Sequence, residues 1–177
     1  MSFIKTSNGK FIQINGSTKL LSTVGSYPPI PPEPTDLPAK TMRMLFEDEI
    51  TPSLPSGTLT QVSQSPNIWD VNLDNVGWNS LCKGLTKLYE ASANLDGITS
   101  IGSLFSGCTA LRSVEFYNTS ALKYIGHVFN ECYSLTGAPN CDFSNVTSMA
   151  WTFYCCYSLK EVPLYNTSKV VNMGNTF

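Results

Sequence analysis

Six cysteines and one histidine are the residues whose chemistry is tested first. Cys82, Cys108, Cys132, Cys141, Cys155 and Cys156 contain no C-x-x-C pair, so the spacing of a zinc site is lacking and no metal is expected. Cys108, Cys132 and Cys156 stand 24 residues apart, and a cysteine that recurs in register behaves as a small buried hydrophobe. All six are therefore expected as free thiols. Cys155 and Cys156 are adjacent, but Cys156 belongs to the recurring column, so redox chemistry is not expected. His127 shares its column with Ser103, Trp151 and Asn175. A variable, outward position is a poor place for a general base, and without it no Ser-His-Asp or Cys-His arrangement can be built. The string GITSIGSLFSG carries glycines without phosphate-loop spacing. Asn118, Asn145 and Asn166 match the glycosylation acceptor but read more simply as turn residues of the repeat. The expectation is a protein that is not an enzyme and holds no cofactor.

The element that positions these residues is a repeat. Phe105, Phe129, Phe153 and Phe177 are 24 apart, as are Leu111, Leu135 and Leu159. A period of this size means that each unit buries its apolar face by stacking on its neighbours. The pattern is F-x-x-C-x-x-L-x-x-V, followed by further apolar columns at Leu122, Val146 and Val170 and at Ile125, Met149 and Met173. Gly102, Gly126, Ala150 and Gly174 keep a small residue after the last of these, which fits a tight turn or close coil packing. The spacing of Leu111, Val114 and Phe116 suits a short strand, and I-G-x-x-F-x-x-C-x-x-L suits a helical or 3₁₀ turn. Trp78, Leu81, Leu85 and Leu88 also fall at helical spacing, within an imperfect first unit. The fold expected is an α/β leucine-rich-repeat solenoid of 24-residue coils over 76–177, preceded by a small β-rich region. It is expected to continue beyond Phe177, because no polar unit follows to cover the last coil.

Upstream, the chain divides into 1–26, 27–39 and 40–75. Residues 3–14 read as a β-hairpin about Asn8-Gly9, with 19–24 as a third strand. Phe3, Ile4, Phe11, Ile12 and Ile14 are its candidate anchor, since so small a piece must lean on something else. PPIPPEPTDLP, from Pro28, favours an extended polyproline spacer. Met42, Met44 and Phe46 share one face of a strand, the acidic 47–49 follow as a solvated turn, and TLTQVSQ with NIWDVNL form a hairpin placed to cap the first coil. Charged residues are only 14% of the chain and net charge is −2 without a basic cluster, which excludes a nucleic-acid footprint. No apolar run reaches the length of a membrane span. The N-terminus lacks the apolar stretch of a secretory signal, which predicts assembly in a cytoplasm.

The outward columns carry the functional question. Thr109, Tyr133 and Tyr157 align, as do Tyr117, Cys141 and Tyr165, and Ser106, Asn130 and Tyr154. With coils about 4.8 Å apart each column becomes a stripe. Tyr117, Tyr133, Trp151, Tyr154, Tyr157 and Tyr165 are the candidate ligand-binding stripe, because exposed Tyr and Trp can grip a glycan or a protein. The units FSGCTALRSV, FNECYSLTGAP and FYCCYSLKEVP, with NTSALKYIG, FSNVTSMAW and NTSKVVNMG, resemble BspA-like leucine-rich repeats over about residues 76–177. Repeats of that family occur in bacterial surface proteins and in virion proteins of gut bacteriophages of the crAss-like type. The second unit departs from the pattern, with Asn140 where Phe116 and Leu164 stand. The resemblance implies a right-handed solenoid and adhesion to host surfaces or other proteins. Joined to the missing export signal, it implies a virion protein, a head or tail fibre or decoration protein. Such a protein would be held to other virion proteins by its N-terminal region, bind a host surface protein or glycan, and form a homo-oligomer, with a trimer expected. The alternative is a cell-surface adhesin of a bacterium.

Overall fold

The computed structural model describes residues 2–5, 11–14, 37–46, 59–64, 67–72 and 77–177. Strands β1 (Ser2–Lys5) and β2 (Phe11–Ile14) pair antiparallel, with Phe3 opposite Gln13 and Ile4 opposite Ile12. The turn at Asn8-Gly9, the strand expected at 19–24, the proline run up to residue 36 and the acidic 47–49 lie outside the described residues.

A second, five-stranded sheet begins with β3 (Thr41–Phe46), β4 (Leu59–Gln64) and β5 (Asn67–Asn72), and ends with β6 (Leu88–Asn94) and β7 (Ser113–Tyr117). Its order is β4-β5-β3-β6-β7. Strand alternation explains β3: Met42, Met44 and Phe46 enter the main core, while Leu45 packs on the opposite face with Tyr89 and Ile68. On that opposite face Arg43 and Asp70 stand directly across β3 and β5, and Nε and Nη2 of the guanidinium each donate to the carboxylate at 2.7 Å. The strand beside the first coil is β3, not the β4–β5 hairpin. β3 runs antiparallel to β6, and β6 then runs parallel to β7, so the sheet changes from hairpin pairing to coil stacking at β6.

Two expectations are corrected here. The chain is a β structure and not an α/β solenoid with helical turns: among the described residues there is no α-helix, and the single helical element is a three-residue 3₁₀ turn at Thr119–Ala121. The segment from Trp78 to Leu88 is likewise a run of turns leading into β6, not a helix. The physical reason is visible in the hydrogen bonds. N–H groups of Ser103, Phe105 and Gly107 donate to Gly126, Val128 and Asn130 of the next coil, at 2.9, 3.0 and 2.8 Å. Those of His127, Phe129 and Glu131 reach Ala150, Thr152 and Tyr154 in the same way, at 3.0, 2.9 and 2.9 Å. The residues between them, Leu104, Ser106 and Cys108, close tight turns onto the carbonyls three residues back. A helix would send every one of these donors four residues back along its own turn. Here half of them leave for the neighbouring coil.

Sending alternate donors outward requires the backbone to reverse hand. Ser103, His127, Trp151 and Asn175 have φ of 57°, 59°, 59° and 51°, and Gly107, Glu131 and Cys155 have 76°, 61° and 60°. A non-glycine residue in the left-handed region costs roughly 1–2 kcal/mol, so the stack must hold each of these positions in place. On the other side of the coils the direction of donation reverses. Lys123, Thr147 and Val171 donate to Thr99, Lys123 and Thr147 of the preceding coil, beside the isolated bridges that link Ser100, Tyr124, Ser148 and Asn172. Gly102 and Gly126 are needed for close approach. A Cβ on either would come within 2.5 and 2.6 Å of the Tyr124 side chain, which lies across both.

The core follows the columns. Phe105, Phe129 and Phe153 stack ring on ring with centroids 6.0 and 5.5 Å apart, and Phe116 leans on the first two at 6.2 and 6.0 Å. In the coil where Asn140 replaces an apolar residue, Asn140 is exposed and no strand forms beside β7. Buried Phe143 supplies the missing volume, with the Tyr165 ring 4.5 Å from it. Phe129 touches three other rings, so Phe129→Ala is expected to destabilise the fold by about 3–5 kcal/mol. Phe177 meets one ring and is two-thirds exposed, so Phe177→Ala is expected to cost under about 1 kcal/mol. Urea unfolding of the two variants checks the contrast; equal losses would mean that the ring column does not carry the core.

Candidate binding face

Left-handed residues at a fixed register place their side chains outward at the same point on every coil. His127 and Trp151, one coil apart, stack with centroids 5.8 Å apart and planes 7° from parallel. Tyr133 and Tyr157 form a second ladder at 5.5 Å and 15°. Tyr154 joins the first ladder edge-on, 4.6 Å from the Trp151 ring. The Tyr157 hydroxyl lies 3.2 Å from Sγ of Cys155, which occupies the left-handed position between the ladders. Burial cannot account for these rings: Tyr157 is 78% exposed, Tyr133 41% and Tyr154 36%. Mutual stacking uses the facing sides of each pair, so the outer face of Tyr157 and the ring edges of the tyrosines remain for a ligand.

Four of the six stripe residues expected from the sequence, Tyr133, Trp151, Tyr154 and Tyr157, are thus brought together. Two are not. Tyr165 is half-buried against Phe143, and its hydroxyl donates to the Pro139 carbonyl at 2.6 Å. Burial holds its phenol well above the ordinary range, so it is a structural tie between coils. Tyr117 is half-buried at the end of β7 with its hydroxyl donated to Glu115. Sequence reasoning placed His127 in the outward column of Trp151 and rejected it as a general base, but left it out of the candidate stripe and missed its stacking on Trp151. It also passed over Glu131 and the exposed Tyr124. The signal for the first two was the 24-residue register itself, read for side-chain direction.

The cysteines sit beneath this face. Sγ of Cys108 donates to the Cys82 carbonyl at 3.0 Å, that of Cys132 to Phe105 at 3.2 Å and that of Cys156 to Phe129 at 3.1 Å. All six are free thiols. Burial pushes Cys108, Cys141 and Cys156 up to about 12, and burial together with neighbouring thiols also raises Cys82 and Cys132. A thiol of this kind is inert as a nucleophile and serves as a hydrogen-bonding core residue.

With stacked coils of 24 residues and an outward aromatic face in view, the class is that of a β-coil repeat protein. Residues 83–177 match the family described as "Mycoplasma protein of unknown function, DUF285", and the chain belongs to that family, which is related to BspA-like repeats. No curated protein and no solved structure matches the chain.

The thiols give a pH dependence of definite sign. Their folded values lie above the unfolded value of about 9, so the fold keeps protons that the unfolded chain releases. The stabilisation is complete below about pH 9 and is lost as pH rises from 9 toward 12. Denaturant midpoints should therefore fall steeply across that window, and Cys108→Ala should flatten the fall. At pH 8 a thiol reagent should modify Cys155 in the folded protein and the buried Cys82, Cys108 and Cys132 only on unfolding; labelling of these three in the folded protein would contradict this packing.

Proposed function

We propose that the chain is a non-enzymatic binding protein of a bacteriophage particle, a head or tail fibre or decoration protein. In this reading the N-terminal region attaches to other virion proteins, and the coil stack presents the aromatic face to a host surface protein or glycan. The observation that carries the binding role is the exposed Tyr133–Tyr157 ladder beside the half-buried His127–Trp151 pair. Folding does not need Tyr157 at 78% exposure, whereas tyrosine and tryptophan in a rigid frame are the anchors of recognition surfaces. Kinship with BspA-like repeats supports an adhesive role. The hydrogen-bonded free thiols support folding where cysteines stay reduced, as in the cytoplasm in which phage particles are built. A second reading, a cell-surface adhesin of a bacterium, is favoured by the bacterial source in the family's description.

Mass spectrometry of purified particles separates the two: the chain is expected among virion proteins, and its recovery only from bacterial surface fractions would establish the adhesin. For the face, Trp151→Ala and Tyr157→Ala are each expected to weaken attachment to host cells by about tenfold or more, the cost of truncating an aromatic anchor. Wild-type attachment by both variants would remove the aromatic face from the function.

A further inference from the structure

The five-stranded sheet stops at β7 although the coils go on, and the stop leaves backbone groups of β7 unmatched. In a parallel ladder one residue turns both its N–H and its C=O to the same neighbour, and the next residue turns both away. The Tyr117 carbonyl accepts the Leu95 N–H at 2.9 Å, so Ser113, Glu115 and Tyr117 face β6, while Val114 and Phe116 face the coil that follows. That coil does not answer them. Among the described residues no backbone hydrogen bond joins Val114 or Phe116 to 137–140; the two coils are tied just before, where the Thr136 N–H reaches the Arg112 carbonyl at 3.2 Å. Pro139 stands one repeat after Glu115, at the position whose N–H would turn back to β7, and proline has none. The Ala138 N–H goes on to Glu161 in the coil beyond, at 3.4 Å. Between β7 and 137–140 lies an open hollow of about 430 Å³, with Val114 and Phe116 on one side and Gly137 and Asn140 on the other. A Cβ on Gly137 would meet nothing within 4 Å.

We propose that this hollow takes an extended segment of a partner protein, which adds to the open edge of β7 by main-chain hydrogen bonds. Backbone N–H and C=O groups that find no partner are costly, and here they border a space that another chain can enter. The chemistry of the edge selects the occupant. At Val114 and Phe116 a donor and an acceptor recur every second residue, roughly 6.6 Å apart. An extended polypeptide carries the complementary groups at that same repeat, and a sugar does not. Strands added in this way draw their affinity from the main chain and accept many side chains. The charged groups beside the edge are already engaged: the Arg112 guanidinium lies 4.6 Å from the Tyr89 ring centre, and Glu115 accepts the Tyr117 hydroxyl. The backbone is therefore the feature that is recognised. The edge shares no residue with the aromatic face and stands independently of it.

Amide hydrogen exchange on the whole protein tests it. Without a partner, the N–H groups of Val114 and Phe116 are expected to exchange about tenfold or more faster than that of Glu115, which is bonded to β6. The probe is a peptide alternating threonine and valine, residues that favour an extended chain, and its control is the same peptide N-methylated throughout. The parent peptide is expected to slow exchange at Val114 and Phe116 by about tenfold at saturation, and to bind about tenfold more tightly than the control, which cannot donate. Gly137→Tyr puts a ring into the hollow from a position where a side chain meets no other atom. It is expected to abolish the slowing with an unchanged melting temperature. Equal exchange at Val114, Phe116 and Glu115 without peptide overturns the proposal, as does a peptide that slows neither amide. Equal binding of the methylated control, or full slowing in Gly137→Tyr, overturns it too. Should Gly137→Tyr melt early, the methylated control decides alone.

Discussion

The structure depends on how each coil divides its backbone donors. Within a turn segment every second N–H leaves for the coil that follows, and the ones between close on the carbonyl three residues back. This arrangement leaves few backbone groups stranded, although the coils hold hardly any regular strand or helix. It also sets the spacing that lets Phe105, Phe129 and Phe153 stack and lets the cysteine sulfurs reach carbonyls of the preceding coil. The sheet of β3, β6 and β7 is the regular start of the same stack, where the bonds are still those of extended strands.

The sequence made the register legible and left the local conformation hidden. The buried columns of Phe, Cys and Leu could be read directly, because a side chain that recurs every 24 residues is held by the same neighbours each time. The conformation of the turns could not. Apolar residues three apart suit one face of a helix and equally suit consecutive tight turns, and only the hydrogen-bond direction tells them apart. The usual marker for a left-handed residue, glycine, is absent at Ser103, His127, Trp151 and Asn175, so the stacking had to be seen before the conformation could be inferred.

The binding face was half legible for the same reason. Tyr133, Trp151, Tyr154 and Tyr157 were found because their columns point outward. Tyr165 misled because its column changes role in the irregular coil. Asn140 leaves the core there, and Phe143 with Tyr165 closes the gap. A repeat pattern assumes that equivalent positions keep equivalent surroundings, and one lost apolar residue is enough to break that assumption locally. The register of β1 and β2 agrees with a hairpin, while the turn expected to join them falls outside the described residues.

The left-handed positions have a consequence for how such a surface can change. Side-chain direction at Ser103, His127, Trp151 and Asn175 is fixed by the backbone and not by what the residue contacts. A serine, an imidazole, an indole and an amide already occupy this one site without altering the coil. Recognition and architecture are therefore written in separate alphabets, with interior columns restricted and outward ones open to exchange. The exchange is not unlimited, because β-branched residues are poorly tolerated at positive φ. Valine, isoleucine and threonine should be scarce among the variants such a face can explore, and polar or aromatic residues plentiful.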